Sequence, residues 1–444
     1  MTVPSVEHDK SCATKSDRKP DWFWFIAIVA ILLQGGLLFI ALFAPGLPYL
    51  VADSENVPLD SDRFLNTLSA LTNAQYGEGT RIEVLKNGER YYAAELEAIR
   101  NARASIHLEA YIFSGGRVAD EFLSAMEERA RAGVAVRVVA DAIGSHDLPD
   151  ASIARLRAAG GRFAWYMPFR WYTWPRLNNR THREILVVDG RVAFAGGSGW
   201  ADHWARPMGK DRERWRDTMV RVEGPAVTGL QSVFSENWLE ASGELLKGPD
   251  VFFFPPPAGG SRVLLIRSSP TTGRSTPARV LFQTLLAAAK RTIHITTPYF
   301  LPDRSLRDEI VRAIKKRGVH VQIITPGPGT DHMLTRRSSR RLFGPLLEAG
   351  AQIYEYEPSM IHAKILVVDS QWSVVGTTNM DARSFTLNDE VNLATPDPSV
   401  AQRLEQDFEQ DLRQSKEVSL EEWRKRGIAE RVHETLGGIF QRQQ

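Results

Sequence analysis

Two histidines stand at matching positions of two similar stretches of the chain. The stretches are "THREILVVDG", which begins at Thr181, and "IHAKILVVDS", which begins at Ile361. Alternate residues of a strand share a face, so His362 is expected beside Lys364 with Ala363 turned away. An imidazole can act as nucleophile or proton donor near neutral pH, and an ammonium group can stabilise an anion. The spacing therefore predicts a functional pair of histidines.

The first stretch reverses the charge beside its histidine. Glu184 follows His182 at the spacing that Lys364 has in the second stretch. The same register places Arg180 on the face of His182. A further difference comes downstream, where the second stretch is followed by "GTTN", whose small residues and polar donors suit an anion, and the first by "GGSG".

The similarity extends into an internal repeat. Four blocks recur in the same order in the two parts of the chain. One block is the pair of histidine stretches. The other three pairs are "ASIHLEAYIF" with "RTIHITTPYF", "GVAVRVVAD" with "GVHVQIITP", and "AGGRFAWYMP" with "AGAQIYEYEP". Apolar, β-branched runs alternate with helical patterns that end in basic residues and glycine. We therefore expect an α/β fold of two halves, each a mostly parallel sheet flanked by helices.

The expected segments follow from the repeat and its flanks. They are a cytoplasmic tail (1–21), a transmembrane anchor (22–45), a first half (80–245), a linker (246–261), a second half (262–418) and a helical C-terminal tail (419–444).

An uncharged segment near the N-terminus predicts a membrane anchor. Its core, "WFWFIAIVAILLQGGLLFIALFA", spans roughly 34 Å as a helix at ~1.5 Å per residue. A hydrocarbon core is ~30 Å thick. Basic residues precede this segment, and the next one is Arg63, so the positive-inside rule predicts a cytoplasmic N-terminus and an extracytoplasmic catalytic domain.

Composition narrows the function further. The net charge is only +2, which gives no support for nucleic acid as a partner. Cys12 is the single cysteine, so neither a disulfide framework nor a cysteine-based zinc site is expected.

The stretch "HAKILVVDSQWSVVGTTN" resembles the HxKxxxxD…GSxN motif of the phospholipase D superfamily, with Thr377 in the usual serine position. The second half resembles bacterial cardiolipin synthases through "TPYFLPD" and "NMDARSFTLNDEVNL". The first half supports the same resemblance through "RLNNRTHRE" and "WRDTMVRVEGPAV". The similarity covers nearly everything from Thr80 to about Arg426.

The resemblance implies two pseudo-twofold-related halves with one site between them. One histidine attacks a phosphodiester phosphorus, giving a phosphohistidine, and the other protonates the leaving alcohol. The implied catalytic residues are His182, His362, Lys364, Asp217 and Glu390, the two carboxylates orienting the histidines. The expected substrate-binding residues are Asn379, Thr377, Glu184, Arg180 and Ser198. Asp189 and Asp369 are expected to be structural, and neither a metal nor another cofactor is implied.

Glu184 departs from the lysine of the family motif. Two unit charges ~4 Å apart interact by about 4 kcal/mol at an effective dielectric of ~20, so a carboxylate there opposes phosphate binding. Three compensations stay open: protonation in a desolvated site, pairing with Arg180, or contact with a hydroxyl-rich headgroup. Loss of activity is a fourth possibility.

The expected function is a phosphatidyltransferase anchored in the bacterial inner membrane that acts on phospholipids, phosphatidylglycerol first among them. Alternatives are a hydrolytic phospholipase D, a nuclease-like phosphodiesterase and an inactive lipid-binding protein. The resemblance makes His182 the nucleophile and His362 the acid. A charged Glu184 would instead stabilise a protonated His182 and exchange the two roles.

Overall fold

The computed structural model describes residues 22–43, 49, 51, 57–74, 76–171, 176, 178–207, 209, 213–248, 251–270 and 275–427. These residues fall into two units, one within Met1–Leu47 and one within Pro48–Gln444. Both halves of the repeat lie in the second unit, which carries every residue that the sequence singles out for chemistry.

Helices of the described residues follow the predicted patterns in both halves. They are α1 (Trp22–Phe43), α2 (Asp62–Thr72), α3 (Gly88–Arg100), α4 (Arg117–Arg131), α5 (Asp150–Ala158), α6 (Asp202–Ala205), α7 (Ala226–Ser242), α8 (Pro277–Ala288), α9 (Arg304–Arg317), α10 (Met333–Ala349), α11 (Ala382–Thr386), α12 (Pro398–Leu412) and α13 (Leu420–Arg424). Helix α9 shows the local cause: the Asp303 side chain accepts the Leu306 N–H at its start, and Gly318 ends it in the left-handed region.

The strands are mostly short and apolar. They are β1 (Tyr76–Lys86), β2 (Ser105–Ala110), β3 (Ala135–Asp141), β4 (Arg162–Tyr166), β5 (Arg180–Thr181), β6 (Ile185–Val188), β7 (Val192–Gly196), β8 (Thr218–Glu223), β9 (Ser261–Ser268), β10 (Thr292–Thr296), β11 (His320–Pro326), β12 (Gln352–Tyr356), β13 (Ile365–Val368), β14 (Trp372–Gly376), β15 (Asn388–Thr395) and β16 (Ser415–Glu417).

These strands form one continuous sheet with pseudo-twofold order. Its order is β16-β12-β11-β10-β13-β14-β15-β9-β1-β8-β7-β6-β2-β3-β4, and β5 pairs with β15 outside this path. Strands β9 and β1 meet at the centre as an antiparallel pair. Going outward from that pair, each half repeats the same sequence of equivalent strands, as the internal repeat predicts, and the second half adds β16 at its edge.

The prediction of a mostly parallel sheet in each half is wrong. Only β2-β3-β4 and β10-β11-β12 run parallel within the described halves, and the inner strands pair antiparallel. The histidine stretches enter the antiparallel hairpins β6-β7 and β13-β14. A strand that is buried on both faces is an apolar run whether it pairs parallel or antiparallel. The hydrophobic pattern could therefore not distinguish parallel from antiparallel pairing.

The three largest apolar clusters among the described residues pack on the sheet. One belongs to the second half and includes residues of α2, α8 and α9, and another belongs to the first half with α3, α4 and α5. The third is shared, because strands of both halves pack there with α7 and α12. Ala363 is fully buried in this shared cluster, in the segment just before β13 that also carries His362 and Lys364.

Helix α1 covers the apolar N-terminal segment. Among the residues that the structure describes, no helix combines the length and the hydropathy required to cross a membrane, so the predicted anchor is not confirmed. The predicted cytoplasmic tail (1–21) lies outside the described residues, as does 428–444 of the C-terminal tail.

Candidate active site

Each histidine is held in place by the other half of the molecule. Strand β5, immediately before His182, pairs in parallel with β15 of the second half. The N–H of His182 donates to Asp389 O at 2.9 Å, and the N–H of His362 donates to Arg216 O at 2.7 Å. The two stretches therefore both lie at the junction of the halves.

Glu390 orients the imidazole of His182. Both carboxylate oxygens lie close to Nδ1, at 3.0 and 3.1 Å, and Glu390 is fully buried. The hydroxyl of Thr377 donates to Oε2 of Glu390. The ring of Tyr111 packs edge-on against that of His182 at 5.3 Å between centroids. Because Glu390 engages Nδ1, Nε2 is the ring nitrogen left for chemistry.

Asp217 gives His362 the equivalent partner. Its Oδ2 lies 2.9 Å from Nδ1 of His362 and also accepts the indole N–H of Trp204 at 3.0 Å. Burial opposes ionisation of Asp217, but the bond to His362 and the nearby charges outweigh it and hold the pKa of Asp217 below its usual value. Burial lowers the pKa of His362, and the ammonium of Lys364 lowers it further against the effect of Asp217.

Lys364 lies directly against His362. Its Nζ is 2.8 Å from Nδ1 and 3.0 Å from Nε2 of that ring, and it donates to the His362 carbonyl at 2.8 Å. It also reaches the carbonyl of Gly197 in the first half at 3.5 Å. Burial lowers the pKa of Lys364 to about 8, although Asp217 and two glutamates raise it. A buried cation thus stands where a phosphate could bind.

Glu184 occupies the equivalent place in the first half. It is 3% exposed, and its Oε1 accepts the N–H of Ile112 at 3.1 Å. Burial raises the pKa of Glu184 well above its usual range, a shift that Ile112 and Lys364 only partly oppose. Protonation, the first of the three compensations, is therefore the one that the environment favours.

Arg180 does not pair with Glu184, so the second of the three compensations, an ion pair between these two residues, is wrong. Its guanidinium donates to Asp141 Oδ1 at 3.2 Å and to the carbonyls of Asn179 and Met167. These contacts fasten the segment before β5 to the end of β3. The structure thus gives Arg180 a positioning contact rather than a free donor for substrate.

The "GGSG" and "GTTN" segments contribute unequally. Ser198 is buried, and its hydroxyl donates to the Gly199 carbonyl at 3.0 Å, so the structure does not direct it toward the histidines. Thr377 contacts Glu390, as described, rather than an open space. Asn379 is 3% exposed, and its Oδ1 has no hydrogen-bond partner among the described residues. Of these three side chains, Asn379 is the one with unused polar capacity.

Asp189 and Asp369 hold matching turns. Asp189 accepts backbone N–H groups of 103–105 at 2.7–3.2 Å, and Asp369 accepts those of 290–292 at 2.7–2.8 Å. Both aspartates have left-handed backbones, with φ of 53° and 56°. Their contacts tie each histidine hairpin to the start of the neighbouring strand, β2 or β10.

Sequence reasoning missed several groups around the pair. Trp215 and Trp204 pack on His362 at 5.5 and 5.4 Å between centroids, and His203 packs against both tryptophans. The hydroxyl of Tyr299 donates to Asp331 at 2.6 Å, and the charge of Asp331 acts on His362. The signal for Trp215 was its place directly before the Arg–Asp pair of "WRD". Within the described ranges, no group of three or more His, Cys, Asp or Glu side chains is arranged to hold a metal ion.

The sequence profile described as the phospholipase D-like domain of cardiolipin synthase matches residues 96–238 and 282–412, which include both histidine stretches. The chain belongs to the cardiolipin synthase family. A probable cardiolipin synthase of Bacillus subtilis is 33% identical over 86% of this chain and 76% of that protein. A cardiolipin synthase of Geobacillus kaustophilus is 35% identical over 80% of this chain and 71% of that protein.

Solved structures support the same fold. Phosphatidylserine synthase of Haemophilus influenzae superposes with a TM-score of 0.63 at 15% identity, covering 85% of this chain and all of that one. Polyphosphate kinase of Porphyromonas gingivalis superposes with a TM-score of 0.51 at 14% identity, covering 77% of this chain and 49% of that one. The chain thus has the mixed α/β architecture of two halves that its internal repeat predicts.

Proposed function

We propose that this chain is a phosphatidyltransferase that passes a phosphatidyl group from one phosphatidylglycerol to a hydroxyl of a second, releasing glycerol. One observation carries the proposal. Two histidines, each on a buried carboxylate, lie at the junction of the halves, and the buried ammonium of Lys364 beside His362 also interacts with Glu390, the partner of His182. The names of the relatives support phospholipid as the substrate class.

In the first step, Nε2 of His182 attacks the phosphorus of the donor lipid. The phosphorus–oxygen bond to the glycerol headgroup breaks, and the leaving oxygen takes a proton from His362. A phosphatidyl group is then bound covalently to His182, while free glycerol leaves. Glu390 holds the attacking ring in the required tautomer, and Lys364 with Asn379 stabilises the negative non-bridging oxygens.

In the second step, a hydroxyl of another phosphatidylglycerol attacks the same phosphorus. His362 accepts the hydroxyl proton as the phosphorus–nitrogen bond breaks, which restores both histidines and yields cardiolipin. Water in place of the lipid hydroxyl would give phosphatidic acid.

The family order of roles suits a neutral Glu184. A charged carboxylate was the reason to make His182 the protonated member of the pair, and a protonated Glu184 removes that reason. Burial and the charge of Lys364 lower the pKa of His362. A phosphate bound at Lys364 would offset that charge, so His362 could then carry the proton that the leaving group needs.

Lipid products test the transfer. Full-length purified protein is incubated with vesicles of phosphatidylglycerol, and cardiolipin, glycerol and phosphatidic acid are measured together. We expect cardiolipin and glycerol in equal amounts. Phosphatidic acid as the main product would make the enzyme a hydrolase, and absence of any turnover would overturn the proposal.

We also propose that the enzyme acts at a bilayer surface, with the 22–45 segment as a single-pass anchor in the inner membrane. Exposed apolar side chains beside the site support the contact with the bilayer surface. Met333 and Leu334 are 42% and 47% exposed and follow Asp331, the partner of Tyr299. Ile143 is 49% exposed and precedes Gly144, which lies against Tyr111. Apolar groups around a lipid site can enter the headgroup region.

Two substitutions test the surface contact. Leu334→Asp should raise KM for phosphatidylglycerol in vesicles and leave turnover of dispersed short-chain phosphatidylglycerol unchanged. Leu245→Asp is a matched control, because Leu245 is 72% exposed at the end of α7. Equal effects of both substitutions on vesicle turnover would contradict the assignment.

A further inference from the structure

Two residues of the first histidine stretch and its downstream segment differ from their counterparts in the second half, and these two residues are neighbours in the structure. Glu184 replaces the lysine of the motif, and Gly199 stands where the second half has Asn379. A Cβ at Gly199 would lie 3.0 Å from Oε1 of Glu184 and 2.4 Å from the carbonyl oxygen of Ile112. The closest contact is with the Ile112 backbone, whose N–H also binds Glu184, so glycine admits both neighbours. The glycine and the glutamate thus share one neighbour, Ile112.

One oxygen of the Glu184 carboxyl makes no hydrogen bond with the described residues. Its Oε1 is fixed by the N–H of Ile112, whereas Oε2 is buried and has no hydrogen-bond partner among the described residues. A buried polar atom without a partner is costly in a folded protein. Because Lys364 and Asp217 are the charges that act on Glu184, this carboxyl belongs to the site of His362.

The charge state of this carboxyl decides what it can bind. Its buried position favours the protonated form, as its raised pKa indicates. A neutral carboxylic acid both donates and accepts hydrogen bonds, and it does not repel a phosphate. Hydroxyl groups of a ligand match those properties, since each can donate and accept in turn.

We propose that Glu184, as a neutral acid, binds a free hydroxyl of the polyol headgroup, so that the first half of the site recognises hydroxyls and Lys364 with Asn379 recognises the phosphate. This inference rests on the proposed function and names the headgroup class that the site selects. A site built to bond a hydroxyl discriminates against a ligand that lacks it, because the buried group is then left unpaired. Glu184 is thus a specificity-determining residue for glycerol-type headgroups.

The test compares two donor lipids that differ only in their hydroxyls. Phosphatidylglycerol keeps free headgroup hydroxyls, and phosphatidylpropanol has none. Both lipids are given the same excess of an added acceptor alcohol, because phosphatidylpropanol offers no hydroxyl as acceptor. Release of the headgroup alcohol, glycerol or propanol, is measured on one enzyme preparation, and the ratio of the two kcat/KM values is taken. This ratio does not depend on the folded fraction of the preparation.

Two substitutions of similar shape separate the roles of the carboxyl. Glu184→Gln keeps neutral hydrogen bonding and should preserve the preference for phosphatidylglycerol. Glu184→Met keeps the volume without polar atoms and should lower that preference by ~10-fold, the scale of one neutral hydrogen bond. The turnover of phosphatidylpropanol should change much less.

Three results would overturn the inference. Glu184→Met could lower turnover of both lipids equally, which indicates packing alone. Glu184→Gln could lose the preference as fully as Glu184→Met, which indicates a required carboxylate. The wild-type enzyme could show no preference. A wild-type preference with phosphatidic acid as product would instead overturn the transfer and keep the inference.

Discussion

His182 and His362 have the same type of partner but different neighbours. Each Nδ1 faces a fully buried carboxylate of the other half. Lys364 touches His362, whereas Glu184 follows His182 as a buried carboxyl. In the folded protein, the cation of Lys364 therefore corresponds to a carboxyl whose burial favours the protonated form. Glu184 then opposes phosphate binding less than an ionised carboxylate would.

His362 is the residue whose loss should be most damaging. His362→Ala removes the proton donor to the leaving oxygen, and we expect kcat to fall by about 10³-fold or more. The melting temperature checks that the variant stays folded, and His146→Ala serves as control because His146 is exposed. Substantial residual turnover would place the chemistry elsewhere.

Lys364 should impose a limit at high pH. Its pKa of about 8 means that the ammonium is intact below this pH and is lost above it. We expect kcat/KM to fall as pH rises through about 8, because phosphate binding loses its cation. Arginine stays charged, so Lys364→Arg should move this decline to higher pH, whatever its absolute rate. An unchanged midpoint would show that another group titrates.

At the scale of elements, the two hairpins that carry the histidine stretches are fixed by equivalent aspartates. The sequence repeat predicted equivalent histidine stretches, and alternation placed Lys364 beside His362. The sequence could not show that β5 of the first half pairs with β15 of the second. A two-residue strand carries no periodicity, and its pairing is set by tertiary contacts. The carboxylate partners came from resemblance, since 145 and 208 residues separate each histidine from its carboxylate.

Asp369 should matter for stability rather than for chemistry. Its carboxylate accepts three backbone N–H groups, and Asp369→Ala leaves them unpaired. We expect a loss of about 2–4 kcal/mol in the free energy of unfolding, measured by denaturant titration. Asp308→Ala, on an exposed side chain, should change stability little. If the folded Asp369→Ala protein lost turnover as His362→Ala does, a catalytic role would replace the structural one.

At the scale of the molecule, one sheet and a shared core join the halves into a single unit. The repeat predicted two equivalent halves, and the strand order agrees with it. The direction of the inner strands was not predictable, because buried apolar runs look alike in parallel and antiparallel sheets. Charge and cysteine content limited the expectations but could not identify a lipid substrate.

The orientation in the membrane stays a prediction. Four basic residues precede the apolar segment and none follows it until Arg63, so the catalytic unit should lie outside the cytoplasm. A periplasm-active reporter fused after Gln444 should be active, and a cytoplasm-active reporter at the same place should be silent. The opposite pattern would reverse the orientation without affecting the enzymatic proposal.

The covalent intermediate tests the central claim most directly. The full-length protein is mixed with phosphatidylglycerol labelled in its phosphate, quenched under denaturing alkaline conditions that preserve phosphohistidine, and digested for mass spectrometry. We expect a phosphatidyl group on His182 in the wild type, and none in His182→Ala. A group on His362 would reverse the division of roles, and absence of any labelled histidine during active turnover would contradict covalent transfer at this site.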